Sequence, residues 1–301
     1  IWWVEYLGLS GIRMDTYPYP DMDYMAEWTR ALMKEYPNLN IVGEEWFEWP
    51  SIVSYWQKGK TNSNGYQSDL KSVMDFPVQA AMGKALTQKE TWGTGWIELY
   101  EMLAQDFLYP DPTNLVIFPD NHDMSRIFTQ VNEDLALFKQ ALVFVLTTRG
   151  IPQIYYGTEV LMKNPGTEDH GIIRSDFPGG WAGDKVNAMT GEGLTELQKN
   201  TQSWLKKLLQ WRKTANVIHS GKLKHFIPKD GIYLYARYDE QQKVVVILNK
   251  NEKETTIELS PYAELFDGES KGTDVLSNKV YPLKEQIRVP AQSATILELS
   301  K

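Results

Sequence analysis

A chain of 301 residues, 42% apolar and 23% charged, can bury a large core and divides naturally into one big domain and a smaller one. The formal charge of −8 argues against a nucleic-acid-binding role and fits a neutral or cationic ligand, and no apolar run is long enough to span a bilayer. With no cysteine, disulfides and thiolate metal sites are excluded, and the redox compartment stays open.

Residues 1–9 read as the end of an amphipathic helix, closed by Gly8 or Gly11. The chain starts with Ile1-Trp2-Trp3 and shows no signal-peptide pattern, so a native start further upstream is expected. Gly11-Ile12-Arg13-Met14-Asp15 reads as the first strand, and residues 21–35 as a helix with Met25, Trp28 and Leu32 on one face. Pro37-Asn38 stops that helix, and a second strand follows at Asn40–Gly43. After Glu44 comes an aromatic loop with Trp46, Phe47 and Trp49, then a short helix near residues 52–58. A third strand is expected at 72–76, helices at 78–86 and 98–105, and a fourth strand at 115–118. Residues 132–147 read as a helix and 150–157 as a fifth strand flanked by glycines. A long irregular stretch, 158–193, has no clear period, and loops of that length are usually functional or disordered. A helix at 201–214 with Trp204, Leu205, Leu208 and Trp211 on its stripe closes this part. From His219 short β-rich runs at 231–238, 243–248, 254–259, 286–289 and 294–299 read as an antiparallel domain of sandwich type.

The alternation of about five strands with helices predicts an α/β fold. Ile12 and Met14 would face covering helices while Arg13 and Asp15 share the opposite face. An adjacent cation keeps a carboxylate ionised and oriented. Two further strand ends deliver Glu44 and, through Asp120-Asn121-His122-Asp123, a third acid. Reactive residues at the C-terminal ends of separate strands are the pattern of a (β/α)8 TIM barrel. Five strands do not close one. Either the missing strands precede Ile1 or the sheet is an open α/β one, and the first is favoured. The expected architecture is therefore the last five or so strands of a barrel in residues 1–217, followed by an antiparallel β-sandwich domain in residues 218–301.

Four segments together, Gly11-Ile12-Arg13-Met14-Asp15, Val42-Gly43-Glu44, Asp120-Asn121-His122-Asp123 and Gly150-Ile151-Pro152-Gln153-Ile154-Tyr155-Tyr156-Gly157, resemble in order the motifs of the α-amylase family (glycoside hydrolase family 13). Gly43-Glu44-Glu45-Trp46 is most similar to its cyclomaltodextrinase and neopullulanase branch. The resemblance implies a retaining α-glucan hydrolase acting on α-1,4 links in cyclodextrins, pullulan or starch oligosaccharides. Asp15 would be the nucleophile, Glu44 the general acid and then base, and Asp123 the stabiliser of the oxocarbenium-like transition state. Arg13 would orient Asp15, His122 would hydrogen-bond the sugar, and Trp46 would stack on the acceptor side of the cleft. Flanking anions would keep Glu44 protonated while Arg13 keeps Asp15 ionised. No cofactor is required. Where many members carry Lys-His and a calcium ion, this chain has Pro18 and Tyr19, which puts structural calcium there in doubt. The family's first motif, an Asp…Asn-His segment, would lie before Ile1.

Other readings stay beside these. Arg13–Asp15 could be a structural ion pair. Glu45 adjoins Glu44 but points the other way on a continuing strand. His122 could merely cap a strand end, and Trp46, Phe47 and Trp49 could be loop packing. Arg174 and Trp181 read as solvent-facing loop residues, and residues 150–157 as architecture. The alternatives for function are a transglycosylase of the same family and a non-catalytic sugar-binding or transport-associated relative, the latter disfavoured because Asp15, Glu44 and Asp123 are all present. The expected partner is an α-glucan oligosaccharide, with a homodimer allowed and neither nucleic acid nor membrane insertion. Residues 1–301 alone are expected to turn over little, because an open barrel cannot hold a near-attack geometry.

Overall fold

The computed structural model describes residues 1–301. They form two compact units: Ile1–Met82, Glu101–Phe118 and Arg149–Gln153 in the first, and Gly83–Tyr100, Pro119–Thr148 and Ile154–Lys301 in the second. No helix is long and apolar enough to cross a membrane.

The first unit is built on five parallel strands in chain order: β1 (Gly11–Met14), β2 (Asn40–Gly43), β3 (Ser72–Val73), β4 (Val116–Ile117) and β5 (Ile151–Pro152). β1 pairs with β2 from Gly11–Asn40 to Met14–Gly43, and β2 with β3. A parallel bridge from Met74 to Val116 carries the ladder to β4, which pairs with β5. β3, β4 and β5 are two residues each, shorter than their sequence suggests. β3 ends because Asp75 N–H turns to Val116 O at 2.9 Å and Phe76 opens the helix Phe76–Thr87. β5 is held by two rungs, Ile151 N–H to Leu115 O and Gln153 N–H to Ile117 O, both at 2.8 Å. Gly150 is required before β5: its φ is +99°, and a Cβ there would sit 2.7 Å from Leu115 O.

The helix Met22–Glu35 starts where the Asp21 carboxylate accepts from Tyr24 N–H. Met25, Leu32 and Met33 from this helix meet Ile41, Val73, Leu70, Tyr17 and Leu115 in one core. Each fully buried aliphatic side chain contributes about 1.5–3 kcal/mol. At the other extreme, the helix Trp2–Leu7 buries only Val4, and its Trp2 stacks on Tyr6 with centroids 4.8 Å apart.

In the second unit, the helix expected from residue 132 starts at Leu135 instead. Asn132 and Glu133 have φ of +55° and +59°, and Asp134 caps Ala136 and Leu137 N–H. The helix expected from 201 begins earlier, at Glu196, because Thr195 and Gln198 form a capping box. The chain then enters β6 (Lys222–His225), β7 (Ile232–Tyr238), β8 (Lys243–Asn249), β9 (Thr255–Glu258), β10 (Lys271–Asp274), β11 (Val280–Pro282), β12 (Gln286–Val289) and β13 (Ser293–Ser300). Six form an antiparallel sheet in the order β11-β10-β13-β8-β7-β6, and β12 pairs with β9. Ile232, Leu234 and Ala236 of β7 pack with Ile257 and Ile287 of the smaller sheet in a shared core. The other face of β7 is buried too, since Tyr235 hydroxyl bonds Thr147 at 2.6 Å and Arg237 donates to Thr148 O and Gly221 O. Three strands, β6, β10 and β11, lie outside the sequence-derived runs. They are short, and only alternate residues are buried in β10 and β11.

Candidate active site

In the first unit the ladder itself brings two acids together. Met14 pairs with Gly43 as the last pair, and Asp15 and Glu44 follow directly on the two strands: Glu44 N–H donates to Met14 O at 3.0 Å and Tyr17 N–H to Glu44 O at 2.9 Å. The two carboxylates therefore leave adjacent strands, whose spacing is about 4.8 Å. Gly43 is dictated by this packing, because a Cβ there would lie 2.8 Å from Leu70 Cδ2 and 3.0 Å from Tyr17 Cγ.

Arg13 bridges the acids. Its Nη1 meets Asp15 Oδ1 at 2.6 Å and its Nη2 meets Glu44 Oε1 at 2.7 Å. The guanidinium expected to serve Asp15 alone is thus shared. Glu44 Oε2 accepts from Thr16 N–H at 3.0 Å, with Thr16 held at φ +46°, a left-handed conformation that β-branched residues rarely adopt. Glu44 is buried, whereas the Asp15 side chain is 65% exposed. The direct contacts on Glu44 are a cation and an N–H, with the Asp15 anion on the other arm of the same guanidinium. Glu45 is also buried, with Oε2 unpaired, and burial pushes its carboxyl up to about 7. It shares parity with buried Ile41 and Gly43 on β2, opposite to Glu44.

Trp46 lies on Phe76, with centroids 4.7 Å apart and planes at 18°, and Phe76 meets Phe118 edge-on at 5.1 Å. Phe76 and Phe118 are buried while Trp46 is about half exposed, so one indole face is backed and the other is free for a ligand. Phe76 is a residue the sequence did not single out. Its place directly after β3 was the available signal.

In the second unit, Asp120 serves structure. It is fully buried, its Oδ2 accepts from Ile127 N–H at 2.7 Å, and burial pushes it up to about 7. Asn121 Oδ1 accepts from Asp123 N–H at 2.8 Å, turning the next two side chains outward. His122 Nε2 lies 3.1 Å from Asp123 Oδ2. The other oxygen of Asp123 takes Arg174 Nη2 at 2.5 Å, and Arg174 Nε donates to His122 O at 2.9 Å. Arg174 is therefore not the plain solvent-facing residue its loop suggested. Trp181 is 68% exposed, in keeping with that reading for it.

The structure thus assembles Arg13, Asp15, Glu44 and Trp46 within the first unit, and His122 and Asp123 within the second. As for calcium, Pro18 and Tyr19 supply no carboxylate, Tyr19 is 82% exposed, and no three His, Asp or Glu side chains cluster to hold a metal.

Residues 2–243 match the family described as alpha amylase, catalytic domain, and residues 223–298 match the cyclo-malto-dextrinase C-terminal domain. The chain is similar to a maltogenic alpha-amylase of Bacillus acidopullulyticus, 26% identical over 86% of this chain and 40% of that protein. It is also similar to a cyclomaltodextrin glucanotransferase of Niallia circulans, 24% identical over 91% and 35%, and to a cyclomaltodextrinase of Thermoanaerobacter pseudethanolicus, 25% identical over 86% and 40%. Among solved structures, an alpha-amylase from Geobacillus thermoleovorans complexed with acarbose superposes with a TM-score of 0.79 at 19% identity, covering 100% of this chain and 62% of that one. A cyclic alpha-maltosyl-(1→6)-maltose hydrolase from Arthrobacter globiformis gives 0.73 at 16%, covering 99% and 57%. The chain spans less than two thirds of the length of each of these relatives, and 40% or less of the three matched by sequence. The fold is that of a TIM-barrel glycosidase domain followed by an antiparallel sheet domain, and the chain belongs to the α-amylase family.

Proposed function

We propose that the protein carrying this chain is a retaining α-glucan hydrolase, cleaving α-1,4-glucosidic bonds of cyclodextrins, pullulan or starch oligosaccharides by double displacement. The observation that carries this reading is the Arg13 fork joining Asp15 to Glu44 at the ends of adjacent strands. Retaining glycosidases need two carboxyl groups about 5–5.5 Å apart, a separation that one guanidinium can span. In this reading Asp15 attacks the anomeric carbon while Glu44 gives its proton to the departing oxygen, leaving a glycosyl ester on Asp15. Glu44 then takes a proton from water as that water attacks the same carbon and Asp15 leaves. Asp123 and His122 hold the sugar, Asp123 stabilising the oxocarbenium-like transition state. No cofactor takes part, and residues 1–217 form the catalytic portion with 218–301 as the sandwich domain.

A transglycosylase with the same first half-reaction is the second reading. The half-exposed, backed Trp46 ring favours it, because a bound acceptor sugar there would compete with water. Product analysis on the intact enzyme with maltotriose decides between them. Hydrolysis yields only glucose and maltose with retained anomeric configuration, transfer yields longer oligosaccharides, and inverted products would rule out both.

A further inference from the structure

Residues 122–126 and 173–174 grip one another through two arginines used in opposite directions. Arg126, 1% exposed, reaches from the first segment and donates to Ile173 O through Nε at 2.9 Å and Nη2 at 2.7 Å. Its guanidinium also donates to Tyr156 O and lies over the Tyr155 and Tyr156 rings, 4.0 and 4.8 Å from their centroids. Arg174 reaches back from the second segment. Its Nε donates to His122 O and its Nη2 to Asp123 Oδ1, while His170 Nδ1 sits 2.8 Å from the same Nη2. Since a guanidinium only donates, that ring nitrogen accepts.

The Arg126 half is buried and multiply satisfied, so it fixes where residue 173 lies. The Arg174 half is 43% exposed, and an ion pair that open adds little to stability. What a fork does there is geometric. Two donors on one rigid plane take the backbone of residue 122 and the side chain of residue 123 together, which fixes the Asp123 carboxylate against its own main chain. His122 Nε2 lies 3.1 Å from the other oxygen.

We infer that Arg174 is a positioning residue for Asp123, held in place by the buried Arg126–Ile173 contact, so that the loop after β5 sets the orientation of the transition-state carboxylate. The inference rests on the reading of Asp123 given above. It is tested with Arg174→Ala, Arg174→Lys and Asp123→Asn in the intact enzyme on maltotriose, together with amide exchange at residues 121–124. For R174A, kcat falls on the order of 100-fold with KM nearly unchanged, as expected when a reacting group is misplaced rather than removed. Added guanidinium restores part of that loss, and R174K recovers little because an ammonium cannot fork. Exchange at residues 121–124 rises in R174A and in D123N alike, and combining the two raises it no further. An R174A enzyme with normal kcat beside an inactive D123N overturns the inference, as does a loss confined to KM, which would mark a sugar contact. Unchanged exchange at 121–124 overturns it whatever the activity. Full activity in D123N instead overturns the reading of Asp123, and the inference with it.

Discussion

Arg149 meets Asp75 at 2.5 Å with both side chains almost wholly buried, tying the residue before Gly150 and β5 to the end of β3. Arg149 also takes both oxygens of Asp106, at 2.6 and 2.9 Å, and Asp75 Oδ1 accepts from Val78 N–H at the start of the next helix. Removing one partner from such a pair leaves an uncompensated buried charge. Arg149→Met should therefore destabilise the chain by roughly 3–5 kcal/mol in urea unfolding, whereas Asp75→Ala leaves Arg149 paired to Asp106 and should cost less. The double variant Asp75→Leu with Arg149→Met should lose less than the sum of its singles, because Asp106 is partly exposed and can be hydrated.

Glu45 makes stability depend on pH. Its folded carboxyl is pushed up to about 7, well above the ordinary carboxylate range, and the cause is burial. A raised folded value means that the folded chain holds a proton the unfolded chain has released. Stability is then full below the unfolded value, falls as pH rises through the window between the two, and is flat above it. Asp120, also raised to about 7 by burial, acts in the same direction. Glu45→Gln should match the parent in acid and exceed it above neutrality by roughly 1–3 kcal/mol, measured by denaturant unfolding across that range.

Glu44→Gln in the intact enzyme should depend on the leaving group. Loss of proton donation should cost about 10²–10⁴-fold on maltotriose, and far less on aryl glycosides whose leaving group needs no proton. Asp15→Asn should stop turnover of both while sparing much of the binding. Equal losses for both substrates in E44Q would remove Glu44 from the acid role.

The Trp46–Phe76 stack makes a prediction about acceptors. Trp46→Ala should reduce longer oligosaccharides from maltotriose more than it reduces hydrolysis, and Phe76→Leu should do the same more weakly by loosening the ring above it. An aromatic pair of this kind adds about 0.5–1.5 kcal/mol beyond its buried area, so a several-fold change in product ratio is the scale to look for. An unchanged ratio in W46A would place the acceptor elsewhere.

The sequence by itself determined what local chemistry can encode. Alternating strand and helix periods, the stops at Gly8 and Pro37-Asn38, and acids placed just after strand ends give the five-strand order and offer Asp15, Glu44 and an acid of residues 120–123, the choice of Asp123 among them resting on the family resemblance. The tertiary structure decided which groups share a partner. That Arg13 bridges two acids follows from the register of β1 on β2, and that Arg174 reaches Asp123 follows from contact across 51 positions of chain. Neither has a periodic signature, since register and loop closure are set by packing between distant segments. The short β10 and β11 escaped for the same reason: their pairing with β13 and with each other, not their own propensity, makes them strands.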